Sequence, residues 1–71
     1  MKSLFKISSM KTLEDVSNVR NAISNMEGVI ACQVNLEKGE VNVVYDDFFI
    51  KEDDLISSIE DSGYDVLQNN P

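Results

Sequence analysis

The sequence contains no histidine and only one cysteine among its 71 residues. An intramolecular disulfide is therefore excluded, as is a zinc site of the Cys/His type built within one chain. Serine–histidine and cysteine–histidine catalysis are excluded within one chain for the same reason. The three glycines are scattered, so the chain has no glycine-rich loop to hold a phosphate. Because so short a chain leaves little room for a catalytic pocket, we predict that the protein is not an enzyme.

Long hydrophobic runs are also missing. No apolar stretch approaches the roughly 20 residues needed to cross a bilayer, and the N-terminus lacks the hydrophobic segment of a signal peptide. The composition, 42% hydrophobic and 27% charged, is that of an ordinary globular protein. We therefore predict one domain over residues 1–71, with an ordered core of about 3–67. It is expected to be reduced and cytoplasmic, without membrane insertion.

Positive charge is scarce, and the net charge of −7 is unevenly distributed. Residues 1–35 sum to +1, whereas residues 36–71 sum to −8. An acidic surface repels phosphate backbones, so nucleic acid is not expected as a partner. The acidity has a simple explanation, the solubility of a small protein, but it could also attract a basic partner or cations.

The first half of the chain predicts a strand followed by a helix. Residues 3–9 alternate between two faces, which is typical of a short strand with one buried face. Thr12, with Asp15 three residues later, resembles a capping box, and Gly28 ends the helix. The apolar positions that recur at helical spacing are Leu13, Val16, Val19, Ala22, Ile23 and Met26.

The second half predicts a hairpin, a second helix and a last strand. The hairpin turn is placed at 37–40, the helix at about 51–62 and a short strand at 65–67. The tail, 68–71, is expected to fray. The side chains predicted to face the core are Ile30, Cys32, Val34 and Leu36, then Val41, Val43 and Tyr45, and in the helix Leu55, Ile56 and Ile59.

The predicted order of elements is β-α-β-β-α-β, in which strand, helix, strand occurs twice. This order is the ferredoxin-like pattern of the α+β class. It places a four-stranded antiparallel sheet against two helices on one face, because right-handed crossovers leave few alternatives.

Several segments of the sequence resemble the heavy-metal-associated domain. They are MEGV at 26–29, VNLEKGEV at 34–41, VVYD at 43–46 and IEDSGYDV at 59–66. The resemblance extends over about 4–67 in order and spacing. The family includes small copper metallochaperones and the N-terminal modules of metal-pumping P-type ATPases. The resemblance therefore implies a ferredoxin-like fold and a connection to metal transport.

The resemblance breaks at the loop that carries the family's function. The family pattern is Gly-Met-x-Cys-x-x-Cys, in which two thiolates at a helix N-terminus hold Cu(I) or Zn(II). In this sequence Ser9 occupies the position of the pattern's glycine, and Met10 matches its methionine. Thr12 and Asp15 occupy the positions of the two cysteines. We predict that no soft metal binds by the family route and interpret Thr12 and Asp15 as a helix cap. The former metal loop comprises Met10, Lys11, Thr12, Leu13, Glu14 and Asp15.

Two sulfur-containing side chains remain as candidate soft ligands. Met10 could bind through its thioether, but the family places this methionine in the core beneath the loop. Cys32 lies in an apolar series and is interpreted as a small core residue with an unreactive thiol. If it were exposed, it could act by pairing two chains.

Oxygen ligands are a second possibility at the same end of the sheet. The loops before the first helix and after the second lie together in the ferredoxin-like arrangement, so acidic side chains there could approach one another and bind a hard cation. The four acids are Glu14, Asp15, Asp61 and Asp65. The candidate metal ligands outside the family route are Met10, Thr12, Asp15 and Asp65. Since no spacing resembles an EF-hand, solvated surface acids are the simpler interpretation.

Three aromatic residues are singled out by position. Tyr64 follows the glycine that stops the second helix; the resemblance implies that it leans towards the former metal loop, and plain packing of the ring is the simpler interpretation. Phe48 and Phe49 are adjacent in a loop, so at most one is expected to face the core and the other could form an apolar contact point.

Three hypotheses about function follow. The first is a degenerate heavy-metal-associated domain that acts as a protein-interaction or regulatory module, with a metal-handling ATPase or a second copy as partner. The second is a working copper or zinc protein that uses non-family ligands. The third is an inactive structural repeat of a P-type ATPase. Coverage of nearly the whole chain, from Met1, favours a stand-alone protein.

Overall fold

A computed structural model of the protein describes the backbone of residues 1–70 and the side chains of residues 1–67. The elements in chain order are β1 (Lys2–Ile7), α1 (Leu13–Ser24), β2 (Val29–Asn35), β3 (Glu40–Tyr45), α2 (Glu52–Asp61) and β4 (Val66–Asn70). The strands form one antiparallel sheet in the order β2-β3-β1-β4. The predicted ferredoxin-like α+β fold is thereby confirmed.

The core lies between one face of the sheet and both helices. In β1 the side chains of Ser3, Phe5 and Ile7 are buried, whereas Lys2 and Lys6 lie on the opposite, exposed face. The fully buried apolar side chains are Phe5, Val19, Ile23, Val41, Val43, Leu55 and Ile59. The alternation of the strands and the spacing of the helices therefore predicted most of the core. Within the described residues, no helix is long and apolar enough to span a bilayer.

The predicted apolar stripe of α1 is wrong at its first position. Val16, Val19 and Ile23 are buried, but Leu13 is 77% exposed. Helical side chains point back towards the N-terminus of their helix. At the first helical residue, this direction carries the side chain away from the core instead of onto it.

The predicted inward face of β2 is wrong at Ile30, which is 70% exposed. A register shift between Val29 and Ala31 interrupts the pairing with β3, so that Ile30 is an extra residue in the ladder. Val29 packs against the core in its place. Beyond this bulge Cys32 and Val34 pack against the core as predicted.

The last strand is longer than predicted. It begins at Val66 and continues to Asn70, whereas the sequence indicated a strand over 65–67 only. Backbone pairing with β1 explains the difference, since Leu4 lies opposite Asn70. The predicted fraying of 68–71 is therefore wrong for the backbone of 68–70, which pairs with β1, and at position 71 the prediction lies outside the described residues.

Candidate functional site

The former metal loop lies at the end of the sheet where β1 finishes and β4 begins. The Ser8 backbone N–H donates to the carbonyl oxygen of Asp65 at 2.9 Å, which joins the loop before α1 to the segment after α2. The Ile7 N–H donates to the carbonyl oxygen of Gly39 at 2.8 Å, so the hairpin turn closes the same end. The loops before α1 and after α2 are therefore neighbours, as the ferredoxin-like arrangement predicts.

The start of α1 is closed by a reciprocal cap. Thr12 Oγ1 accepts a hydrogen bond from the Asp15 backbone N–H at 3.2 Å. In return, Asp15 Oδ2 accepts from the backbone N–H groups of Lys11 at 2.9 Å and Thr12 at 3.0 Å. The predicted capping box is confirmed. The carboxylate also sits at the positive end of the helix dipole, where a negative charge is favoured.

Tyr64 completes the surroundings of the Asp15 carboxylate. The tyrosine side chain is buried, and its hydroxyl donates to Asp15 Oδ1 at 2.6 Å. Asn18 Nδ2 donates in turn to the Tyr64 hydroxyl oxygen at 3.3 Å. Sequence reasoning missed Asn18, although it lies three residues after Asp15 and so on the same side of the helix. Both oxygens of Asp15 thus accept hydrogen bonds from groups of the chain itself.

These hydrogen bonds fix the charge states of the pair. The Tyr64 hydroxyl, followed by the backbone N–H of Lys11, stabilises the ionised form of Asp15 and lowers the pKa of this carboxyl to about 2. Because Tyr64 donates to a carboxylate, the pKa of its hydroxyl is raised. At neutral pH the pair is therefore an ionised carboxylate and a protonated phenol, held as one charge-assisted hydrogen bond.

Ser9 and Met10, which precede the residues of the cap, have different roles. The Met10 side chain is 7% exposed and packs in the core. Ser9 adopts a positive φ of 64°, a left-handed conformation that favours glycine. The loop therefore has a backbone shape suited to glycine at a position where this chain has serine.

Cys32 lies far from this loop in the sheet. It pairs with Val43 of β3, which pairs on its other side with Ser3 of β1. Ser3 is four residues from the end of β1 at Ile7, or about 13 Å along the strand. The thiol is half-buried, and burial raises its pKa, while the positive charge of Arg20 acts in the opposite direction.

The acidic candidates do not form a metal-binding group. Over the part of the chain that the structure describes, no three side chains of His, Cys, Asp or Glu are placed to hold an ion together. Asp15 is turned into the cap, Asp65 contributes a backbone carbonyl, and Asp61 lines a groove beside α2. Glu14 is exposed in the first turn of α1. The site is a hydrogen-bonded helix start backed by a tyrosine.

Comparisons with known proteins agree on the family. The model of the heavy-metal-associated domain matches residues 5–65. Copper chaperone CopZ of Staphylococcus aureus is 45% identical over 51 residues, which cover 72% of this chain and 75% of that protein. Among solved structures, a CopZ metallochaperone superposes with a TM-score of 0.92 at 36% identity, covering 94% of this chain and all of that one. A copper-binding domain from HMA7, a P-type ATPase, gives a TM-score of 0.89 at 27% identity, with full coverage of both chains.

Proposed function

Since the chain belongs to the heavy-metal-associated domain family, we propose that it is a protein-interaction or regulatory module of metal handling, not an enzyme and not a metal carrier of the family type. One observation carries this proposal. Asp15, which stands where the family has its second cysteine, accepts hydrogen bonds from two backbone N–H groups and from the Tyr64 hydroxyl. The loop that would bind metal is thus closed by its own residues.

The surrounding side chains support the same interpretation. Thr12 at the first cysteine position accepts a backbone hydrogen bond, and a hydroxyl is a poor ligand for a soft ion. Met10 packs in the core, and Cys32 lies in another part of the sheet. A soft ion at this loop would therefore meet neither a thiolate nor an exposed thioether.

The partner we propose is a protein of metal handling, namely the N-terminal module of a P-type ATPase, or a second copy of this chain. The acidic second half of the chain suits a basic surface, and complementary charge favours fast, salt-sensitive association. The predicted location is the cytoplasm, where a lone cysteine stays reduced.

A copper carrier is the alternative, and the names of the relatives favour it, since the Staphylococcus aureus protein is a copper chaperone. Such a carrier would need unusual ligands drawn from Met10, Thr12, Asp15 and an inter-chain pair of Cys32. A third candidate, an inactive repeat of a P-type ATPase, is supported by the fold shared with the HMA7 domain.

Native mass spectrometry of the reduced protein separates these functions. The wild-type chain is titrated with Cu(I), Zn(II) and Ca(II), beside the double variant Thr12→Cys/Asp15→Cys, which restores the family's thiol pair. We expect the double variant to bind one equivalent of Cu(I) and the wild type to remain folded without a stoichiometric adduct. One equivalent of Cu(I) or Zn(II) on the wild type at micromolar free metal would overturn the proposal.

The partner is tested by a titration followed by NMR. The labelled protein is mixed with the N-terminal module of a metal-handling P-type ATPase from the same genome, and amide shifts are recorded at increasing salt. We expect saturable shifts that weaken as salt screens the charges. If no amide moves with that module, and the chain stays monomeric at the highest concentration, the interaction role is refuted.

A further inference from the structure

Two adjacent phenylalanines are exposed at the end of the sheet opposite the former metal loop. They lie in residues 46–50, which follow β3, and β3 runs antiparallel to β1. Phe48 is 85% exposed and Phe49 is 64% exposed. Their ring centroids are 5.6 Å apart, in an edge-on arrangement. Exposed aromatic pairs are unfavourable in water and mark contact surfaces in soluble proteins.

The backbone beneath these rings is fixed by hydrogen bonds. Asp46 Oδ1 accepts from the Phe48 N–H at 2.9 Å, and the Asp46 carbonyl oxygen accepts from the N–H groups of Phe49 at 3.0 Å and Ile50 at 3.2 Å. The side chain of Ile50 is buried in the core. Gly28 approaches so closely that a Cβ there would lie 2.9 Å from the Phe49 Cβ. Binding would therefore order little additional chain, which favours affinity.

A groove of about 430 Å³ lies next to Phe49, between the segment after α1 and the length of α2. Its apolar and acidic lining residues are Met26, Phe49 and Ile50, and Glu27, Asp54 and Asp61. A groove of this kind suits an apolar side chain that is flanked by basic residues in the partner.

Charge identifies the kind of partner. Residues 46–61 contain seven acids and one lysine, a net charge of −6 out of the −7 of the whole chain. The lysine, Lys51, donates from Nζ to the carbonyl oxygen of Asp47 at 3.0 Å. The surface around the phenylalanines therefore attracts a cationic segment and repels phosphate groups of nucleic acid or anionic lipid. Two copies of this chain meeting face to face here would bring like charges together.

We propose that Phe48, Phe49 and the adjoining groove, together the Phe48–Phe49 surface, bind a cationic amphipathic segment of a partner protein. An apolar side chain of that segment enters the groove, and its Lys or Arg residues face Glu27, Asp54 and Asp61. The inference rests on the proposed function as an interaction module and adds the place of contact and the chemistry of the partner. The two phenylalanines of this surface lie at the end of the sheet opposite the former metal loop.

The test uses a defined probe, a synthetic peptide of about 18 residues with a Leu/Phe stripe at helical spacing and Lys and Arg elsewhere. A scrambled peptide of the same composition controls for charge alone. Amide shifts of the labelled full chain are followed by NMR, and affinity is measured by fluorescence anisotropy. We expect the patterned peptide to shift amides of residues 26–28 and 46–61 and to bind at least about tenfold more tightly than the scrambled one.

Matched variants locate the contact. Phe48→Ser removes an exposed ring, and we expect it to weaken binding about tenfold or more. Leu13→Ser removes a side chain of similar exposure at the opposite end and should leave the affinity unchanged. Dispersed amide spectra check that both variants keep the fold. Glu27→Gln removes an acidic charge that lines the groove and is expected to reduce the affinity and its dependence on salt.

Several results would overturn the inference. Equal binding of the two peptides, unchanged binding to Phe48→Ser, or shifts confined to residues 8–15 would each do so. So would self-association that Phe48→Ser abolishes, because it would identify a second copy as the occupant. The metal titration is separate: stoichiometric Cu(I) binding refutes the proposed function whatever the peptides do, whereas peptide binding at another surface refutes this inference alone.

Discussion

The Tyr64 hydroxyl donates a hydrogen bond of 2.6 Å to Asp15 Oδ1, across 49 positions of sequence. This contact joins the first turn of α1 to the segment that leads into β4. Since the same carboxylate also accepts from the backbone N–H groups of Lys11 and Thr12, it anchors the loop before α1 to Tyr64.

Tyr64→Phe removes the hydroxyl and keeps the ring. Because that hydroxyl is the largest influence lowering the pKa of Asp15 to about 2, we expect the pKa to rise towards its ordinary value of 3.8. The backbone N–H groups of Lys11 and Thr12 still donate to the carboxylate, so the pKa should not rise all the way to 3.8. A carbon-detected NMR titration of the Asp15 carboxyl in the wild type and the variant measures the shift. An unchanged pKa would show that the hydroxyl does not act on the carboxylate.

Asp15→Asn is expected to destabilise the fold in a pH-dependent manner. The pKa of Asp15 is lower in the folded protein than the ordinary 3.8, so its contribution is fully present above about pH 4 and is lost as pH falls through about 2. The stability difference between wild type and variant should therefore be largest at neutral pH and shrink in acid. Urea denaturation at neutral pH and at several acidic pH values measures it. A difference that stays constant with pH would contradict this assignment.

Ser9→Gly is expected to stabilise the protein by about 0.5–1.5 kcal/mol. Ser9 holds a φ of 64°, and left-handed backbone costs a residue with a Cβ about 1–2 kcal/mol, partly offset by the greater freedom of glycine in the unfolded chain. Ser9→Ala is the matched control, since it keeps the Cβ and should bring no such gain. Thermal and urea denaturation of the three proteins give the comparison; equal stability of Ser9→Gly and Ser9→Ala would refute strain at this position.

Cys32 is expected to react slowly with iodoacetamide. Burial raises the pKa of its thiol, and the thiolate is the reactive form. At mildly alkaline pH, alkylation of the folded protein should be several-fold slower than that of the same chain in guanidinium chloride, as followed by mass spectrometry. Arg20→Gln should slow it further, because the positive charge of Arg20 acts to lower the pKa. Equal rates in the folded and unfolded chain would mean that the thiol is accessible. Cys32 could then pair two chains.

Much of the fold follows from local pattern. Alternation in β1 and β3 and the three- and four-residue spacing in both helices predicted their buried faces, because these periods are properties of the local backbone. The cap formed by Thr12 and Asp15 is likewise a relation between neighbours. The pattern predicted buried side chains at Leu13 and Ile30, but both are exposed. Leu13 lies at the start of a helix, and Ile30 lies in a bulge, and each position turns its side chain outwards.

The sequence by itself determined the order of elements, the family and the capping box at the start of α1, since each depends on residue identity and spacing. Only the tertiary structure decided that the Tyr64 hydroxyl donates to Asp15 and accepts from Asn18, that Cys32 lies away from the loop, and that Phe49 lies beside Met26 and Glu27 at an acidic groove. The physical reason is that these relations join residues far apart in the chain. Their distances are set by strand register and helix packing, which no local pattern encodes.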